Sequence, residues 1–113
     1  MSAVSKPILT LTVAASAAVA AHRFVTVAGA QAGAGANAIG VTRSAAAAAG
    51  ELMPVDALGT TIVEAGAAVA QGAAVESNAS GQAITQTTGA ILGRALQAAS
   101  AAGDLIEVML IPN

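Results

Sequence analysis

At 113 residues the chain suits one domain with a modest core; its hydrophobic content of 56% is diluted by 33 alanines, so about thirty Ile, Leu, Val and Met side chains must supply the burial. Four basic and six acidic residues leave a net charge of −2, and Phe24 is the only aromatic, which removes both the basic face and the stacking platform that nucleic-acid binding needs. The absence of Cys excludes disulfides, thiolate zinc sites and Cys nucleophiles, and so uncharged a surface points to assembly with partners.

Residues 1–7 read as an extended arm, because the residue before Pro7 is disfavoured in helix. Thr10 and Thr12 alternate with Leu9, Leu11 and Val13, a period of two that predicts a first strand over 8–13. The apolar run through Ala21 also imitates a secretory signal, but it is too short and too interrupted by Thr and Ser to span a membrane. Residues 14–21 and 44–49 are alanine runs whose state, helical turn or loop, the sequence leaves open. Strands are expected at 23–28, 38–42, 51–55 and 60–64, the last two joined by a turn at 56–59 that ends on Gly59. Further strands follow at 73–77, 82–85, 91–97 and 105–111. In the last, Ile106, Val108 and Leu110 share one face. The expected fold is mainly β. It is a small sandwich or barrel of short strands, with an extended N-terminal arm and at most one or two short helical turns. Residues 1–13 are expected to form the arm and first strand, and 14–113 a single compact β domain.

Chemistry-bearing patterns are sparse. His22 is the lone His and has no Cys or second His to share a metal. Ser44 or Ser100 with His22 and Asp56 forms no recognisable nucleophile motif, and there is no Gly-x-Ser-x-Gly. The glycines of 29–40 lack both Gly-x-Gly-x-x-Gly and a Gly-Lys-Ser/Thr end. No catalytic residue, metal ligand or cofactor is expected, and no nucleic-acid or membrane partner. An extended apolar arm binds by adding a strand to an exposed edge through main-chain hydrogen bonds. The residues expected to contact a larger surface or other copies are therefore Ser2, Lys6, Pro7, Ile8, Leu9, Leu11 and Val13 of the arm. To these we add Phe24, as a core or interface anchor, and Arg94, as a cross-interface ion pair or a solvated edge charge.

The C-terminal half carries a resemblance. The segment 64–75 (EAGAAVAQGAAV) is followed by 79–83 (ASGQA), 91–96 (ILGRAL) and 102–108 (AGDLIEV). This order resembles the small decoration, or cement, proteins of tailed-phage capsids, with Ile91, Gly93, Ala95, Gly103, Asp104, Ile106, Val108 and Leu110 fitting the ending of that family. The match runs over about residues 50–111; the alanine runs 14–21 and 44–49 depart from it. The resemblance implies a virion protein on the outer capsid surface that bridges major capsid protein subunits. It implies self-association, usually as trimers and sometimes as dimers, with no catalysis and no cofactor. Another phage assembly role, in the tail or a fibre base, is the alternative.

Overall fold

A computed structural model describes residues 4–112. It is all β: β1 (Lys6–Ala14), β2 (Phe24–Val25), β3 (Gly40–Thr42), β4 (Leu52–Glu64), β5 (Ala74–Ser77), β6 (Ala83–Thr85), β7 (Gly93–Ala95) and β8 (Leu105–Leu110). The strands form one sheet in the order β2-β3-β4-β8-β7-β5-β6, with β1 on the other edge of β4, curled into a nearly closed barrel. Every strand pair is antiparallel. The alanine runs are not helical. Each folds as bends around an isolated bridge, Val19 to Ala46, in which the two residues exchange main-chain hydrogen bonds of 2.9 Å.

β4 differs most from the sequence reading. The expected turn at 56–59 is instead the middle of a 13-residue strand. Gly59 adopts φ +95°, but within the strand, beside the register shifts where β1 bulges around Leu9. A left-handed glycine in a bulge accentuates local twist without ending the strand. At Asp56 the neighbours are Thr10 of β1 and Val41 of β3; at Thr60 they are Lys6 of β1 and Met109 of β8. β1 therefore lines one edge of β4, while β3 and then β8 share the other.

The pairings repeat. Phe24↔Val41, Val41↔Asp56 and Val13↔Met53 in the first half recur as Ala74↔Arg94, Arg94↔Met109 and Val63↔Ile106 in the second. The equivalence is a shift of 50 positions up to the second strand of each half (Val19 to Val69) and of 53 thereafter (Gly50 to Gly103). Loop hydrogen bonds obey it too. Ala15 N–H to Glu51 C=O (2.8 Å) matches Ala65 to Asp104 (2.8 Å), and Gly50 to Ala15 (2.7 Å) matches Gly103 to Ala65 (2.8 Å). The Val19–Ala46 bridge matches Val69–Ala99. The first part of β4 corresponds to β8, which runs antiparallel to it, so an approximate half-turn relates the two halves.

The core follows the same rule. One cluster joins Ala15, Val19, Val25, Ala46, Met53 and Val55; their counterparts Ala65, Val69, Val75, Ala99, Ile106 and Val108 all lie in the other. The second cluster is enlarged by Phe24, Val41 and Leu110. Ile106, Val108 and Leu110 point inward together, as their alternation predicts.

A side chain at Gly59 meets both a left-handed φ and the main chain of β1, with a Cβ placed 2.5 Å from Lys6 O. Gly59→Ala is expected to destabilise the fold by about 1–3 kcal/mol, the range for a strained backbone position. Urea unfolding followed by circular dichroism measures this.

Candidate interaction surface

None of the nine residues of β1 is buried: Leu11 and Val13, opposite Val55 and Met53 of β4, are half-buried, and Leu9 is exposed. Leu9 and Leu11 form one wall of a groove of about 260 Å³, with Ile39, Leu58, Leu92 and Ile111 around it and the fully buried Phe24 at its floor. The groove opens where β3 and β8 separate on the far edge of β4. Its lining comes in equivalent pairs, Ile39 with Leu92 and Leu58 with Ile111, so it straddles the seam between the halves. A second depression, lined by Thr26, Val27, Asn37, Ala38 and Ile39, shares Ala38 and Ile39 with the first. No charged residue lines either one. Val27 of the second depression (76% exposed) and Ile8 of β1 (82% exposed) are large apolar side chains left open to solvent. Each such side chain, if fully covered, contributes about 1.5–3 kcal/mol to association before entropy losses.

Most of the charged groups are occupied elsewhere. Asp56 is buried, and its carboxylate accepts hydrogen bonds from Thr61 Oγ1 (2.8 Å) and Thr10 Oγ1 (3.0 Å) and pairs with Arg43 (3.4 Å). His22 lines the same small cleft but lies by the main chain, with Nδ1 3.3 Å from Ile62 O. Arg23 ties Glu64 (3.2 Å) to the Ser80 carbonyl (3.0 Å), and Gln82 donates to the same Glu64 oxygen. Glu76 Oε1 accepts from the N–H groups of Thr87 (2.6 Å) and Gly89 (3.2 Å) and from the Thr87 hydroxyl (3.2 Å). The Thr87 main-chain bond, followed by that from Gly89, holds the Glu76 carboxyl below its ordinary value. The Ser100 main-chain bond does the same for Asp104. Among the described residues no group of three or more His, Asp or Glu could hold a metal ion.

Of the residues singled out from the sequence, Leu9, Leu11 and Phe24 meet in the groove, and Ile8 is exposed on β1 outside its lining. Val13 packs against the first core cluster, and Lys6 and Pro7 pair with Thr60 and Gly59 of β4. Arg94 is exposed on β7 and donates to Gly72 O (2.8 Å). Ser2 lies outside the described residues. Ile39, Leu58, Leu92 and Ile111 were not singled out, because their convergence depends on the seam between the halves. The recurrence of Ala-Ala-Val-Ala at 17–20 and 67–70 was the available signal for that seam.

The sequence profile of the phage cement proteins matches residues 3–110, nearly the whole chain. The chain belongs to the phage cement protein family. Its place is accordingly in the virion, on the capsid surface, as a structural protein. Among solved structures, the N base of the head fibre gp8.5 of bacteriophage phi29 superposes with a TM-score of 0.75 at 20% identity. The match covers 91% of this chain and 93% of that one. At that identity the likeness shows a shared fold. No curated protein matches the chain. In this cement protein, then, side chains able to carry charge mostly fasten turns and halves, while the open surface beside β1 is aliphatic.

The depressed carboxyls of Glu76 and Asp104 set an acid limit. Their stabilisation is fully present above the ordinary values of 4.5 and 3.8 and is lost as pH falls through the lowered folded-state values. Glu76→Gln is expected to unfold at lower urea than wild type at pH 7 and to lose less stability between pH 7 and pH 3. Urea midpoints at the two pH values check both signs.

Proposed function

We propose that this cement protein stabilises the shell by bridging adjacent major capsid protein subunits, using the apolar surface of β1 and the neighbouring groove, and that it does so without catalysis. The observation that carries the reading is the uncharged groove of about 260 Å³ flanked by a strand with no buried residue, in a chain of the cement family. A surface of this kind is held by shape and by exclusion of water, so its partner must present apolar side chains. Ile8, Leu9, Leu11 and Val13 form the shell-facing strand, and Phe24 fixes the groove floor from below. Lys6 and Pro7 hold the start of β1 in place, and Arg94 contributes to contacts between copies.

Self-association, as trimers or dimers, supplies the second requirement. One copy with one apolar face holds one subunit; linked copies hold several, and each added site is engaged at a high effective concentration. Opening the shell then requires several weak contacts to fail together.

Leu9→Asp and Ile111→Asp place a charge in the groove at positions already part-exposed, so folding is expected to survive. Occupancy on purified capsids is expected to fall by about tenfold or more for each, the penalty for burying an unpaired carboxylate. Co-sedimentation with shells, with native mass of the free protein measured in parallel, provides the check. Wild-type occupancy by both variants removes the groove from the reading.

A further inference from the structure

The two halves differ in how one sheet edge is closed. In the second half, the outer edge at the end of β4 is covered by His22 of the first half: Glu64 N–H donates to its C=O (3.0 Å), and its ring Nδ1 lies 3.3 Å from Ile62 C=O. The counterparts of Ile62 and Glu64 are Thr12 and Ala14 of β1. Among the described residues no strand pairs with the outer edge of β1 there.

That edge carries real hydrogen-bonding capacity. Thr12 faces Pro54, which has no N–H and whose C=O accepts from Arg43 on the β3 side (2.9 Å). The pair is therefore of the non-hydrogen-bonded kind, and both main-chain groups of Thr12 point away from β4, as does the N–H of Ala14 two residues on. Burial shows the same deficit. Val63 and Thr61 are buried, whereas their counterparts Val13 and Leu11 are only half-buried. Features that discourage edge pairing (a lysine, a proline and two register shifts) are confined to residues 6–10, leaving 11–14 uncharged and in continuous register, with Gly29 against the Ala14 carbonyl at its end.

We infer that the outer edge of β1 at Thr12 and Ala14 is a strand-accepting site, and that its occupant is an extended, uncharged segment of the major capsid protein. This rests on the shell-binding reading above and specifies its chemistry. The capsid surface is where the chain resides, and residues 7–14 carry no charge, so the complementary partner is an uncharged β-forming polypeptide. Leu9 and Leu11 belong both to β1 and to the groove wall, so a strand laid along the edge pairs with a strand that also lines the groove. Main-chain bonds supply affinity in this mode, and side-chain pockets supply register.

The test is hydrogen exchange at residue resolution on the full chain, free and bound to purified capsids, with three variants. The amides of Thr12 and Ala14 are expected to slow by about tenfold or more on shell binding. Thr12→Pro removes an outward N–H at an edge position where proline is tolerated. It is expected to keep its thermal transition and lose shell occupancy, whereas Thr12→Val, which keeps the main chain, is expected to bind as wild type. Leu9→Asp reports separately on the groove. Wild-type protein that occupies shells with no change at Thr12 and Ala14, or Thr12→Pro that binds normally, overturns the strand-accepting site and leaves the shell-binding reading standing. Protection that grows with protein concentration in the absence of shells identifies a second copy as the occupant and overturns the assignment to the capsid protein. Failure of the wild-type chain to occupy any shell overturns the underlying reading itself.

Discussion

Everything in this fold hangs on β4, which pairs with β1 on one edge and with β3 and then β8 on the other. A strand of 13 residues is long for so small a chain, and it serves both halves: its first part is the fourth strand of the first half, and its last part is the first strand of the second. Because it is shared, neither half can lose its pairing without disturbing the other. Gly59 makes the sharing workable. Its left-handed φ lets the strand twist between its two roles while β1 bulges to follow. The seam that results leaves β3 and β8 apart on one edge, and the apolar groove is that gap.

The alanine content has a structural explanation in the same duplication. In each half two chain segments cross so closely that a valine and an alanine exchange main-chain bonds, Val19 with Ala46 and Val69 with Ala99. The close approach suits a small partner for the valine, and the flanking alanines 17, 18, 48 and 49 are exposed around it. An acid then closes each crossing by accepting main-chain N–H groups: Glu51 from Ala47 (3.0 Å), and Asp104 from Ser100 (2.9 Å). Side-chain acceptors of this kind fasten turns that have no helix to continue into. The high helix propensity of alanine is overridden because each run is short and commits one residue to the core, Val19 in the first and Ala46 in the second.

The sequence made much of this readable. Period-two alternation located β1 and β8 and their inward faces, and glycine punctuation located most turns, because strands half-covered by a core impose exactly those local rules. Residues 56–59 misled for a physical reason: a left-handed glycine looks the same in sequence whether it ends a strand or twists one. The groove was only partly legible. Leu9, Leu11 and Phe24 stood out on their own segments, but Ile39, Leu58, Leu92 and Ile111 come from four separate stretches, brought together by the half-turn between repeats. That half-turn was present in the sequence as two related shifts, interrupted by the three extra residues that the second half spends on β6 and its turn. A single fixed period was absent, and the low complexity of the alanine runs masked the matching valines.

Charge distribution links the fold to its role. Arg23 and Glu64 lock residues of the two halves together, Arg43 and Asp56 lock β3's exit to β4, and Glu76, Glu51 and Asp104 hold loops. These pairings consume most of a very small complement of charges, so the surface left over beside β1 is aliphatic by default. Such a surface cannot discriminate partners at long range, since steering needs a field. On the proposed function, discrimination lies at contact, in the fit of side chains into a narrow groove and, on the further inference, in the register of main-chain bonds along an open edge. If the protein bridges adjacent subunits as proposed, selectivity at contact suffices, because that geometry is offered only where subunits stand side by side.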